Sequence, residues 1–367
     1  MPKLLTSTPR EDGFRMPGEF EKHDGCWMLW PERTDTYRMG AKPAQAAHVE
    51  TAVAISQFEK VTVGVSARQF MNARSRLPDQ IRVVEMSSND SWMRDNGPIF
   101  VNNGHEVRAV DWDFNAWGGL NGGLYFPWDQ DDLVPRKVAE IEWLDRYKAP
   151  MVLEGGAITV DGEGTLITTA QCLLNPNRNP HLSQVEIESY LQQYLGLEKI
   201  IWIPRGSLCD ETDGHVDGLC AFIRPGEVVL NWTDDQHDPE YDILQEAYEL
   251  LQKTTDAHGR SLKVHKLYRP ASIYVKEEEI EGIDCVESTL PRLVGSYMGG
   301  SYINFYLANS GCVVPLYNDP RDQLAVATLQ SIMPERKVVG IKNGREILLG
   351  GGMVHCITQQ QPSPRSR

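Results

Sequence analysis

MVLEGGAITVDGEGTLITTA, residues 151–170, reads as two β-rich runs separated by Asp-Gly-Glu-Gly, a hairpin signal. Residues 181–196, HLSQVEIESYLQQYLG, then carry apolar side chains at helical spacing. Ser183 is placed as N-cap, Glu186 stands three residues on, and Gly196 supplies the stop. KIIWIP, residues 199–204, follows as a short buried strand. The unit is strand, strand, helix, strand, and its recurrence decides the fold.

The same order returns in HVDGLCAFIRPGEVVLNW (215–232), with Arg-Pro-Gly-Glu as the turn, a helix predicted around 239–253 and a strand at 262–267. It returns in SYINFYLANSGCVVPLY (301–317), with a helix near 322–333 and a strand at 337–341. An earlier copy is PIFVNNGHEVRAVDW (98–112), followed by a helix predicted over 134–147. The fifth copy is split. CWMLWP (26–31) precedes a helix from about 43 to 58 and the strand VTVGVSA (61–67), but lacks its first strand, which MVHCITQ (353–359) can supply. Pairing the two ends of the chain closes a ring and protects its edges. The expectation is one catalytic domain over 1–367, folded as a five-bladed, pseudo-symmetric α/β propeller of ββαβ units. Segment 271–298, with KEEEIEG, breaks the spacing and reads as an insertion, and 359–367 reads as a flexible tail.

Across 367 residues, 36 basic and 51 acidic side chains give a formal charge of −15. A nucleic-acid backbone or an anionic membrane surface meets net repulsion from such a chain, whereas a cationic ligand does not. Acid excess by itself mostly aids solubility and names no ligand. The seven cysteines, at 26, 172, 209, 220, 285, 312 and 356, are odd in number and form no CxxC-type zinc pattern. There is no apolar leader, and the longest apolar stretches are strand-sized, so the expectation is a cytoplasmic protein with reduced thiols and no membrane span.

The repeat says where to look for chemistry. Residues that open the first strand of each unit converge on the ring axis, and those positions hold Asp95, Glu154, His215 with Asp217, Asn304 and Cys356. Each alone is ordinary: Asp95 beside Arg94 suits a surface pair, Glu154 a strand edge, His215 a satisfied core histidine and Cys356 a small buried hydrophobe. Their equivalent placement is what raises them together. On a strand, His215 and Asp217 share a face, which Glu211 and Asp213 extend outward and apolar Leu219 and Ala221 extend inward. A thiolate attacks an electrophilic carbon, an imidazole moves protons, and fixed carboxylates hold a cation. A guanidinium, with its planar fork of donors, suits two carboxylates best. An ester or peptide carbonyl would instead want an oxyanion hole.

WMRDNGP, FNAWGGL, FPWDQD, LEGG, ETDGHVD, SYINF and GGGMVHCITQQQP resemble, in order, the signature segments of the agmatine deiminases. These belong to the bacterial peptidyl-arginine deiminases within the guanidino-modifying superfamily, and the likeness runs from EDGFRMPGEFE to ITQQQP, nearly the whole chain. The resemblance implies a five-bladed fold and hydrolysis of agmatine to N-carbamoylputrescine and ammonia through a thiouronium-type intermediate on cysteine, with no cofactor or metal. It implies Cys356 as nucleophile, His215 as general acid and base, Asp95 and Asp217 as the guanidinium clamp, and Glu154 as the partner of His215. It also suggests a homo-oligomer.

For the second cation of agmatine, the primary amine, Glu211 and then Asp213 are the candidates, with Trp92 and Trp117 as walls for the methylene stem and Asn304 counted among the substrate-binding residues. Core packing accounts for the two tryptophans equally well. Gly118, Gly119 and 350–352 suit close backbone approach, as they suit turns. No isolated arginine stands ready to clamp an α-carboxylate, which favours agmatine over free arginine. Carboxylates around Cys356 should raise its pKa, so a bound guanidinium should help form the thiolate. Two rivals remain: a protein-arginine deiminase, and a non-enzymatic propeller that binds polyamines and releases no ammonia.

Overall fold

A computed structural model describes residues 2–364. The fold is mixed α/β. Four units repeat one plan, in which a short hairpin joins two antiparallel strands and a helix carries the chain across to a third strand parallel to the second. They are Ile99–Asn102, Val107–Asp113, the helix Val134–Ile141 and Arg146–Val152; Ile158–Val160, Thr165–Thr169, the helix Gln184–Leu195 and Lys199–Ile203; Cys220–Arg224, Glu227–Trp232, the helix Tyr241–Gln252 and Lys263–Tyr268; and Tyr306–Ala308, Gly311–Pro315, the helix Asp322–Ile332 and Lys337–Ile341. The helix is obligatory, because a tight turn can reverse a strand but cannot return it parallel.

In the second unit the reasons are visible residue by residue. Asp161 Oδ1 accepts from the backbone N–H groups of Glu163 and Thr165 and so pins the hairpin turn, where Gly162 and Gly164 have φ of +70° and +97°. Ser183 and Glu186 complete the capping box, and Gly196 ends the helix in the left-handed region. Ile187, Leu191 and Leu195, one turn apart, are its buried residues and pack with Tyr147, Met151 and Leu166.

The fifth unit is built from both ends of the chain. Thr358–Pro362 pairs antiparallel with His23–Leu29, with Thr358 opposite Met28 and Gln360 opposite Cys26, and His23–Leu29 pairs in parallel with Val61–Val65 after the helix Lys42–Ile55. The closing strand therefore begins at Thr358, later than the expected 353–359. Residues 359–362, expected in a flexible tail, are strand, and Gln359 and Gln360 are buried; 365–367 lie outside the described residues. The helix expected over 134–147 ends at Ile141, and Arg146–Val152 is the parallel strand that completes the first unit. Segment 271–298 does interrupt the plan, with the paired strands Ile273–Tyr274 and Tyr297–Gly299 and a short helix Glu277–Ile280. Among the described residues no helix is long and apolar enough to cross a membrane, and none of the seven cysteines is paired with another.

Candidate active site

The site side chains lie not on strands but on the turn immediately before each first strand. Asp95 is in the single helical turn Met93–Asn96, ahead of Ile99. Glu154 precedes the 3-10 turn Gly155–Ala157, ahead of Ile158. His215 precedes the turn Val216–Gly218, which holds Asp217 and leads to Cys220. Asn304 comes just before Tyr306, and Cys356 just before Thr358. The strand-face argument for His215 and Asp217 is thus corrected: that strand starts at Cys220. Asp213, expected on the same face, has φ of +65° and breaks any extended run.

The turns converge on the bare Cα of Gly156. A methyl group there would lie 2.5 Å from His215 Nδ1, 2.9 Å from Asp95 Oδ1 and 3.1 Å from Asp217 Oδ2. Asp95 is held on both oxygens: Oδ1 accepts from the Gly156 N–H at 2.9 Å and Oδ2 from Trp117 Nε1 at 3.0 Å. His215 sits between two acids, with Nδ1 3.8 Å from Asp95 Oδ2 and Nε2 3.9 Å from Glu154 Oε2. Cys356 Sγ lies 3.4 Å from Asn304 Oδ1 and 3.6 Å from Asp217 Oδ2.

Burial pushes the Asp95 carboxyl up to about 6, against the His215 ring and with the help of Asp217 and Glu154. Burial also works to raise Asp217, but the hydrogen bond and charge of His355 overcome it and hold that carboxyl below its usual range. Burial works to lower His215, yet Asp95 ahead of other neighbours holds the ring well above its usual value, as an imidazolium. The Cys356 thiol is pushed well up by burial, then by Asp217 and Asp95. The site without substrate therefore holds a thiol, an imidazolium between Asp95 and Glu154, and an Asp217 carboxylate backed by His355.

The outer residues behave differently from expectation. A cavity of about 100 Å³ opens onto Cys356, His215 and Asp217 and is walled by Glu211 and Arg292. Glu211, expected to await an amine, is ion-paired with Arg292, whose Nη2 also donates to the Gly350 carbonyl at 2.8 Å. An arginine is thus present in the wall, brought there by the 271–298 segment, but it is committed to Glu211 and the Gly350 carbonyl rather than isolated. Asp213 is bound at 2.7 Å by Arg178 and at 2.8 Å by Asn177 Nδ2. Trp92 and Trp117 are buried and line a separate recess of about 20 Å³, with Glu211 and Arg292 lining both spaces. Asn304 accepts from the backbone N–H groups of His355 at 2.8 Å and Cys356 at 3.4 Å, so it holds the turn that carries the thiol. Gly352 allows Trp92 to pack beside Cys356, since a methyl there would lie 2.6 Å from the indole ring. Gly118 and Gly119 serve a local turn.

Three functional contributors escaped the sequence reading. Arg178 gives Nε to Glu154 Oε1 at 2.6 Å, Nη1 to the Trp117 carbonyl and Asp213, and Nη2 to the Thr212 carbonyl, tying three loops to one guanidinium. Nothing in its local sequence, Asn-Arg-Asn, marks it. His355 lies between Asp217 Oδ2 and Glu19 Oε2, 2.8 Å from each. Its place beside Cys356 was a signal left unused. Gly156 stood inside the quoted LEGG, but only the tertiary contacts say why it must lack a Cβ.

Residues 15–362 match the Porphyromonas-type peptidyl-arginine deiminase family. The agmatine deiminase of Pseudomonas aeruginosa (strain UCBPP-PA14) is 58% identical over 363 residues, covering 98% of each chain. A solved agmatine deiminase of Enterococcus faecalis is 51% identical, with a TM-score of 0.96 over 99% of this chain and 100% of that one. A C. jejuni agmatine deiminase with a cysteine changed to serine and substrate bound is 27% identical, with a TM-score of 0.81 over 95% of this chain and 96% of that one.

Proposed function

Because the chain belongs to the Porphyromonas-type peptidyl-arginine deiminase family, we propose that the converging turns carry out its reaction as follows. The chain is an enzyme and the reaction is the hydrolytic deimination of agmatine. The observation that carries the residue assignment is the grouping of Asp95, Asp217 and His215 within 3.1 Å of one point, the missing methyl of Gly156. Two carboxylates and a flat glycine face there make a slot for a planar guanidinium, with Cys356 beside Asp217.

Asp95 and Asp217 receive the guanidinium N–H groups and hold the central carbon against Cys356. Binding brings a positive charge to a thiol that the same carboxylates had kept protonated, and so favours the thiolate, the thiol proton leaving to solvent as the cation enters. Sulfur attacks the carbon, the C–N bond to the departing nitrogen breaks, and the His215 imidazolium gives that nitrogen its proton, so ammonia leaves. A thiouronium-type carbon remains on sulfur. His215, now neutral, takes a proton from the incoming water, the new C–O bond forms, and the C–S bond breaks to give N-carbamoylputrescine and free Cys356. Glu154, held by Arg178, steadies His215 from the other side. At the outer end the second oxygen of Glu211, Oε2, is buried without a partner and takes the substrate ammonium.

The same reading makes the five units blades of one propeller around the site, in a cytoplasmic homo-oligomer of polyamine metabolism. The five repeated units and the pairing of Thr358–Pro362 with His23–Leu29 support the ring. Ammonia and N-carbamoylputrescine release from agmatine, measured for the wild type and for Cys356→Ser, tests the chemistry. Wild type should yield both products in equal amounts and Cys356→Ser neither, while still binding agmatine. Substantial turnover by Cys356→Ser would remove the nucleophile assignment.

A further inference from the structure

Glu154, Cys172 and His215 each place a ligand atom within 4.8 Å of the others, and all three are buried. Two of these residues face one another at ion-pair distance without closing a hydrogen bond. His215 Nε2 and Glu154 Oε2, 3.9 Å apart, are both buried and without a hydrogen-bond partner. Two such atoms facing one another are unusual, because leaving a buried donor or acceptor unsatisfied costs stability.

The chemistry of the trio is specific. An imidazole nitrogen, a thiol sulfur and one carboxylate oxygen are the ligand types of zinc, which takes three protein ligands and leaves a fourth position for water. Ligand atoms around a tetrahedral zinc stand roughly 3.4 Å apart at the usual bond lengths, so the trio, spread over at most 4.8 Å, would have to draw in by up to about 1.4 Å to hold the ion. The outer partners fit as well. The second ring nitrogen of His215 faces the Asp95 carboxylate at 3.8 Å, and the second oxygen of Glu154 is held by Arg178 at 2.6 Å. Carboxylate support behind a ligating histidine fixes its tautomer and orientation. Cys172 is held in turn, its N–H donating to Thr169 Oγ1, whose hydroxyl donates to the Gly214 carbonyl.

We propose that Glu154, Cys172 and His215 form a zinc-class divalent cation site whose occupancy switches the enzyme off reversibly. The inhibitory half rests on the reading of His215 as proton carrier: zinc on Nε2 replaces the imidazolium proton there, and the ring left with Nδ1–H alone is a much weaker acid toward the departing nitrogen. The binding half does not depend on that reading.

Equilibrium dialysis of full-length Cys356→Ser against Zn²⁺ removes the nucleophile as a competing ligand. It should retain one zinc per chain, and Cys356→Ser/Cys172→Val should retain less than about a tenth of that. Cys172→Ser, which nearly preserves the side-chain volume but is a poor zinc ligand, should behave like Cys172→Val and guards against misfolding. In the wild type, Zn²⁺ should abolish ammonia release and EDTA should restore it, and Cys172→Val, in which only Cys356 remains as a thiol ligand at the site, should need at least about tenfold more Zn²⁺ for the same loss. Zinc retained equally with and without Cys172, or no zinc on Cys356→Ser, overturns the site. Zinc bound through Cys172 without inhibition overturns the switch. Failure of the zinc-free wild type to release ammonia strikes the proposed reaction instead, and leaves the dialysis result standing.

Discussion

Nδ1 of His355 lies 2.8 Å from Oδ2 of Asp217, the same oxygen that stands 3.6 Å from the Cys356 sulfur. Burial and Arg94 work to lower the His355 ring, but Glu19 and Asp217 hold it above its usual value. The His355 ring therefore keeps its proton to higher pH than a free imidazole and, placed beside Asp217, helps to keep that carboxylate charged. Replacing it as His355→Gln keeps a hydrogen-bond donor and removes the charge. The Asp217 carboxyl should then rise toward its burial-driven value, so the acid limb of kcat/KM for agmatine should move to higher pH. An unchanged pH profile with a uniformly lower rate would assign His355 to packing alone.

Asp95 gives the acid limb its position. Its carboxyl titrates at about 6, and only the anion pairs with a guanidinium. Below that value kcat/KM should fall by about tenfold per pH unit, because this parameter reports groups of the free enzyme. A flat profile well below pH 6 would contradict it. The sign for stability is opposite. A carboxyl raised above its unfolded value stabilises the fold in acid, and this contribution is lost as pH rises through about 6. Thermal unfolding against pH should show this group working against stability where the enzyme is most active.

Cys356 should titrate differently with and without a cation in the slot. Alkylation of the free enzyme should still be accelerating at alkaline pH, since burial, Asp217 and Asp95 all oppose the thiolate. A non-reactive guanidine that leaves the sulfur reachable should move that rise to lower pH. Equal midpoints would show that substrate does not assist ionisation.

Gly156→Ala introduces a methyl 2.5 Å from His215 Nδ1 and 2.9 Å from Asp95 Oδ1, in the space assigned to the guanidinium. Overpacking of this kind costs about 1–3 kcal/mol, and here it also fills the slot. Turnover should drop by at least about a hundredfold, while the unfolding midpoint in urea moves only modestly. Near-normal kcat/KM would mean that the guanidinium lies elsewhere.

Arg178→Met leaves the buried Glu154 carboxylate without its cation. Breaking a buried pair on one side costs about 3–5 kcal/mol, which urea denaturation resolves. Adding Glu154→Gln should recover part of the loss, and strict additivity of the two changes would show that they do not act as a pair.

The repeat was legible because hairpin turns and the crossover helix are local. Asp161 to Gly164 and the Ser183–Glu186 box act within a few residues of themselves, and both formed as read. The helix over 134–147 was misread past Ile141 because Arg146–Val152 carries alternating burial that only its pairing with Val107–Asp113 makes visible. Residues 359–362 looked like a polar tail because three glutamines carry no apolar signal; Trp27 Nε1 and Arg94, each bonded to one of them, come from far away in the chain.

The primary structure by itself determined the order of the units, the equivalence of Asp95, Glu154, His215, Asp217, Asn304 and Cys356, and a charge of −15 that suits a cation. Tertiary structure alone decided which acids are available to that cation. Glu211 and Asp213 look alike in sequence, but Arg178 engages Asp213 while Arg292 takes one oxygen of Glu211 and leaves the other buried without a partner, whereas Asp95 and Asp217 face a shared space beside Gly156. A local pattern places a charge on a turn. Whether that charge already has a partner depends on side chains that approach through space, and that is settled only when the chain has closed.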